Sequence, residues 1–273
     1  MGEFAFKSGG VHLNARRWKV ENAKATVVIT HGYGHHGSSF AEAAERLNAA
    51  GLSVFAWDQR GHGKSEGERG YIESFDHTIG DLGAFLLRIR DRVVGKPLFL
   101  MGHSLGCLAV ALYCIDDEPD VRGIIMSSGL LKIPDHVPKV LQKVAGVLGE
   151  FTPKLPVQRV NVEATSRDPA AVQTLRDDPL RYGGWMHARS GAEIAKAVAR
   201  LQDSMDRLSH PMLIMHGSDD RLTDSEGSRE LYARARATDK TLRIFEGGYH
   251  ELYNDLDKER FYRELIEWVN TRV

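Results

Sequence analysis

KPLFLMGHSLGCLAVALYC, residues 96–114, is an apolar run that ends in Gly102-His103-Ser104-Leu105-Gly106 and then continues as a second apolar stretch. The first run is short and almost continuously apolar, as expected of a parallel strand buried on both faces. The second reads as a buried helix. A G-x-S-x-G segment has meaning in that setting: a sharp strand-to-helix turn holds the serine in a strained conformation, with its Oγ exposed at the sheet edge. Small residues at 102 and 106 let strand and helix approach, and the helix N-terminus favours negative charge beside Ser104.

Working outward, further short apolar runs bounded by turn residues read as strands: ATVVITHG (25–32), LSVFAWD (52–58), VRGIIMSS (121–128), HPMLIMHG (210–217) and TLRIFEGG (241–248). Between them lie amphipathic stretches such as SSFAEAAERLNAAG (38–51), stopped by Gly51, and IGDLGAFLLRIRDRV (79–93). Strand–helix alternation of this kind predicts βαβ units around a mostly parallel sheet with helices on its faces. The rhythm breaks once. Residues 129–209 carry no convincing strand, while KVLQKVAGVLGEF spaces its apolar residues at 140, 141, 144, 147, 148 and 151 as a helical face does. The expected organisation is therefore an α/β core made of 1–128 and 210–273, with 129–209 inserted as a helical cap over the carboxyl ends of the strands.

A serine nucleophile needs a base and an acid that orients the base, and in this architecture they follow in the order Ser, Asp, His. SDDRL, just past the strand 210–217, offers Asp219 and Asp220; TLRIFEGGY is followed by His250. All lie beyond strand C-termini, where ligands bind in parallel sheets. Acyl chemistry also needs two N–H donors for an oxyanion. One is the backbone N–H of Leu105. The other is expected from THGYGHHG (30–37), whose glycines let the Tyr33 N–H face the reacting carbonyl. The same loop could instead chelate a metal through His31, His35 and His36. An adjacent histidine pair rarely points both side chains inward, and no carboxylate or cysteine completes a known ligand spacing, so no metal is expected. A phosphate-binding loop is excluded because no GK[ST] follows the glycines.

Bulk properties agree with a soluble enzyme of small molecules. Lys+Arg (36) and Asp+Glu (37) nearly cancel, which disfavours nucleic acid. There is no signal-peptide h-region at the N-terminus and no run of about 18 apolar residues for a membrane span. Cys107 and Cys114 are spaced for one helix face, roughly 10 Å apart and too far for a disulfide. A reduced, cytoplasmic protein is expected, with self-association left open.

These residues resemble an α/β-hydrolase of the monoacylglycerol lipase and lysophospholipase group. The segments that carry the resemblance are HGYGHHG, DQRGHGKSEG (58–67), GHSLG, HGSDDRLTDSEGS (216–228) and DKTLRIFEGGYHELYND (239–255), and the cap matches more loosely. The resemblance implies Ser104 as nucleophile, Asp220 rather than Asp219 as acid, His250 as base, and Tyr33 and Leu105 as oxyanion donors, with no cofactor. Asp58 is implied to be structural. His35 stands where the group often has Glu, and Cys107 where it often has Gly. The implied substrate is an acyl ester whose chain lies under the cap, with a glycerol-sized leaving group and transient contact with a lipid surface. Leu130, Leu148, Trp185 and Met186 are the candidate acyl-lining residues. A lysophospholipase, served by Arg176, Arg181 and Arg189, and a short-chain carboxylesterase are the alternatives. A ligand-sensing, non-catalytic relative would have lost a triad member.

Overall fold

The computed structural model describes residues 1–133 and 148–273. Its strands are β1 (Gly2–Ser8), β2 (Val11–Trp18), β3 (Ala25–Thr30), β4 (Leu52–Trp57), β5 (Leu98–His103), β6 (Gly123–Ser127), β7 (Pro156–Arg159), β8 (Trp185–His187), β9 (Met212–Gly217) and β10 (Lys240–Phe245). The helices are α1 (Ala41–Ala49), α2 (Phe75–Val93), α3 (Leu105–Asp117), α4 (Pro169–Asp177), α5 (Ala188–Ser204), α6 (Ser225–Arg234) and α7 (Lys258–Asn270). Eight strands form one sheet in the order β1-β2-β4-β3-β5-β6-β9-β10. The six strands from β4 to β10 in that order pair in parallel, and β1 and β2 join antiparallel at one edge.

Alternate residues of the central strands face two different apolar cores. Val28, Leu100, Ile124 and Ile214 share one with α2 and α3; Val27, Ile29, Phe99, Met101 and Leu213 share the other with α1 and α7. Burial on both faces is why these strands read as unbroken apolar runs. The hairpin β1–β2 was not among the expected strands. Residues of β1, the edge strand, mostly alternate between half-buried and exposed, while β2 buries Leu13, Ala15, Arg16 and Trp18; the turn between them is Gly9-Gly10 with both φ positive.

Two findings modify the expectation for 129–209. The segment does contain strands: β7 and β8 form a short antiparallel ribbon apart from the main sheet, too short and too exposed to give a period-two signal. And α5 is not a free-standing cap helix, because Ile194, Ala197, Val198 and Leu201 join the same core cluster as α2 and α3. The predicted apolar helix is described only at its end, where residues 148–151 are helical; Val140, Leu141, Val144 and Val147 lie outside the described residues. Among the described residues no helix is long and apolar enough to cross a membrane.

Candidate active site

β5 runs directly into α3, and the residue between them is Ser104, with φ 54° and ψ −117°. A non-glycine residue in that region costs on the order of 1–3 kcal/mol and persists only where the surroundings impose it. Here they do. Ser104 N–H donates to the Ser127 carbonyl (3.0 Å), and the Ser104 carbonyl accepts from Cys107 and Leu130 N–H groups (3.0 and 3.1 Å). A methyl group at Gly106 would strike the Thr30 carbonyl, so only glycine lets α3 pass this close to β3. Cys107 is buried beneath the turn, its thiol against the Gly102 carbonyl at 3.1 Å and its pKa pushed up by burial. It is a packing residue, not a second nucleophile.

The expected base and acid lie in the loops after β10 and β9. His250 Nδ1 lies 2.7 Å from Asp220 Oδ2, and both side chains are buried. Asp220 also accepts from the N–H groups of Leu222 (2.8 Å) and Thr223 (3.0 Å), and from the Thr223 hydroxyl (2.8 Å). A second histidine, His216, brings Nε2 to 3.2 Å from the same Oδ2, while its Nδ1 meets Ser228 Oγ at 2.7 Å. Burial alone would raise the Asp220 pKa; the charge and hydrogen bonds of His250 and His216 instead hold it well below the usual carboxylate range. Burial works to lower the His250 pKa, but the Asp220 charge and hydrogen bond outweigh it and the net shift is upward. Asp219 is exposed and its carboxylate receives Ser218 Oγ at 2.9 Å, so of the two aspartates Asp220 is the one that meets His250.

The loop after β3 approaches the nucleophile closely: a methyl at Gly32 would lie 3.0 Å from Ser104 Cβ. Tyr33 follows Gly32, and the turn is closed by His35 N–H donating to the Gly32 carbonyl (3.2 Å). Leu105 is the first residue of α3, where N–H groups have no partner within the helix. The two expected oxyanion donors thus belong to segments next to Ser104, Tyr33 in the turn after Gly32 and Leu105 directly following the serine. The Tyr33 hydroxyl donates to the Gly70 carbonyl at 2.7 Å and its ring meets Tyr182 edge-on. Asp58, expected to be structural, accepts from Gly37 N–H (2.6 Å) and Lys64 N–H (2.9 Å), pinning the end of the loop.

Several residues that hold the site carried no sequence signal. Tyr182 N–H donates to the Gly34 carbonyl (2.8 Å), and Asp178 Oδ2 sits 2.7 Å from His36 Nε2. Glu251 N–H donates to the Thr165 carbonyl (2.7 Å), and Asp255 receives Ser166 Oγ and the Arg167 N–H and side chain. The insertion therefore grips both the oxyanion loop and the base loop. Of the four candidate acyl-lining residues, Leu130 is joined to the nucleophile turn through its N–H and is partly buried against the core. Met186 is half-buried on the same core, Leu148 is half-buried, and Trp185 is 52% exposed on the ribbon. It is Tyr182, not Trp185, that reaches the oxyanion loop.

The three histidines of that loop do not converge. His31 turns to Gln59 N–H (2.9 Å) and His36 to Asp178 and Ser38. His35 instead meets Glu251 and His103, and ligand-type atoms of these three lie within 4.8 Å of one another. His35 Nε2 and Glu251 Oε1 are 3.1 Å apart, so a carboxylate stands beside this loop although no ligand spacing in the sequence announces it. The positive charge of Arg181 also acts on Glu251. The trio is a buried group of one carboxylate and two histidines.

The sequence matches the family described as "Serine aminopeptidase, S33" over residues 21–257. It is 32% identical over 266 residues to the monoacylglycerol lipase of Mycolicibacterium smegmatis, covering 96% of this chain and 94% of that one. It is 32% identical over 268 residues to the human monoglyceride lipase, covering 97% and 88%. The crystal structure of the Paleococcus ferrophilus monoacylglycerol lipase superposes with a TM-score of 0.86 at 31% identity, covering 96% of this chain and 99% of that one. The family match spans most of the chain and the fold is shared with these relatives, so the chain belongs to this α/β-hydrolase family, whose relatives include the monoacylglycerol lipases.

Proposed function

We propose that this protein is a carboxylic ester hydrolase that cleaves monoacylglycerol to fatty acid and glycerol. The observation that carries it is the buried Asp220–His250 pair, at 2.7 Å, placed at the same sheet edge as the strained Ser104. With Nδ1–H donated to Asp220, His250 Nε2 is left with a lone pair and acts as the base. Ser104 Oγ attacks the ester carbonyl as its proton passes to Nε2. The Tyr33 and Leu105 N–H groups stabilise the oxyanion. The intermediate collapses, His250 returns the proton to the departing glycerol oxygen, and an acyl-Ser104 enzyme remains. Water, deprotonated by His250, then releases the fatty acid. These steps involve only this chain's own groups, the substrate and water.

The cap role of 129–209 rests on its grip on both active-site loops, and contact with a lipid surface rests on its exposed apolar residues: Phe151 (80% exposed), Leu155, Val157 and Trp185. Exposed aromatic and aliphatic side chains clustered on one segment are a recurrent feature of membrane-facing surfaces. Cys107 and Cys114 are both free and buried, which favours the cytoplasm. One observation keeps the lysophospholipase alternative alive. A cavity of about 490 Å³ in the insertion is lined by Arg159, Arg176 and Arg181 among others. The deciding experiment compares a monoacylglycerol, a lysophosphatidylcholine of the same acyl chain and a short p-nitrophenyl ester. Preference for the monoacylglycerol supports the proposal, preference for the lysophospholipid replaces it, and cleavage of the short ester alone leaves an esterase without a lipid substrate.

A further inference from the structure

Glu251 is wholly buried one residue past the base, yet the chemistry above does not use it. A buried carboxylate is costly unless neighbours repay its desolvation. Its backbone N–H is fixed on Thr165, and its Oε2 accepts from Asn254 Nδ2 at 3.0 Å. That leaves Oε1 facing His35 Nε2 at 3.1 Å, close enough for an ion pair but off the direction of an aligned hydrogen bond. Burial would raise the Glu251 pKa, but His35 above all, then His103 and Asn254, bring it down to about 2. The net shift is downward and favours the charged carboxylate. His103 stands beside it, its own pKa lowered by burial and by the His250 charge, with Nε2 unpartnered among the described residues. The buried Tyr253 hydroxyl completes the surroundings.

We infer that Glu251 is a positioning residue that ties the oxyanion loop to the base segment through His35. This rests on the proposed roles of Ser104, His250 and Tyr33. His35 closes the turn Gly32–His35 that contains Tyr33, so a shift of its side chain turns the peptide bearing the Tyr33 N–H. Other ties on this loop come from elsewhere: Tyr182 and Asp178 in the insertion, and Asp58, Gln59 and Gly70 beyond β4. The contact with Glu251 is the one that sets the loop's distance from the residue next to His250. Oxyanion donors act only if they stand about 2.7–3.1 Å from the developing charge, and a 1 Å misplacement can cost about 100-fold. The loss belongs to the transition state, so it falls on kcat and spares KM.

The test is a double-mutant cycle on a soluble p-nitrophenyl ester with Glu251→Gln, His35→Gln and the pair, each with its melting temperature. Glutamine keeps the shape and the contact with Asn254 while removing the charge. The expected result is a fall in kcat of about 10- to 100-fold in each single variant, with KM within about threefold and folding retained. The double variant is expected to be no worse than the poorer single. Near-normal kcat in either folded single variant overturns the inference, as do losses that multiply in the pair. A loss in Glu251→Gln that His35→Gln lacks, with the acid limb of the pH profile displaced, puts the effect on His250 and also overturns it. Should Glu251→Gln fail to fold, His35→Gln carries the test from the loop side. Ser104→Ala in the same assay separates this from the reaction itself: turnover there refutes the catalytic assignment whatever the cycle gives.

Discussion

Two buried carboxylates in this molecule each sit between two histidines, and they are held very differently. Asp220, between His250 and His216, has both oxygens occupied by short, well-directed donors from its own loop. Glu251, between His35 and His103, has one oxygen satisfied and the other in a close but poorly aligned contact. A saturated carboxylate in a dry site is rigid and fixes the ring it holds. A half-saturated one is cheaper to displace and transmits movement between the segments it joins. The difference predicts a hierarchy: perturbing the Asp220 cluster destroys chemistry, while perturbing the Glu251 cluster degrades its alignment.

The largest effect lies outside both. Ser104→Ala is expected to remove about 10³- to 10⁶-fold of ester turnover with an unchanged melting temperature, because it deletes the group that is acylated. Within the comparison, Asp220→Asn comes next, with a fall in kcat of about 10⁴-fold, since the amide no longer fixes the His250 tautomer. It also moves the pH profile. His250 must be neutral to act, so kcat/KM falls as pH drops through its raised pKa; losing the Asp220 charge lowers that pKa, and the acid limb shifts to lower pH. A shift in the opposite direction would break the account of the pair. Glu251→Gln, at about 10- to 100-fold, follows; if it matched Asp220→Asn, the two clusters would not differ as described. Smallest is Cys107→Ala. It is expected to leave activity within about threefold and to destabilise by roughly 1 kcal/mol through a small cavity, read by denaturant midpoint.

The two clusters also explain what was legible in the sequence. Ser104, the Asp219–Asp220 pair and His250 each follow a strand in a short, distinctive segment, so βαβ topology carries them to one sheet edge, while the choice of Asp220 comes from the family resemblance. His216 and Thr223 lie in the same segment as Asp220, but nothing local says that their side chains turn inward. The Glu251 cluster is harder still. Its parts come from residues 35, 103 and 251, and a search for ligand spacings around His31, His35 and His36 has no view of a carboxylate so distant in the chain. The parallel strands were readable because both their faces are apolar. The β1–β2 hairpin, whose β1 is half-exposed at the edge and whose β2 mixes buried and exposed residues, and the ribbon β7–β8, held by pairing rather than by burial, were not. The docking of α5 on the main core was also hidden, since a helical face announces that it is buried but not against what.

The central claim is that Ser104 alone carries the acyl group. Its most direct test is intact-mass and peptide mapping of the protein after reaction with a fluorophosphonate, wild type against Ser104→Ala. The account predicts a single adduct per chain, located on the peptide containing Ser104 and absent from the variant. An adduct that persists in Ser104→Ala, or a wild type that stays unlabelled while hydrolysing ester, would contradict it.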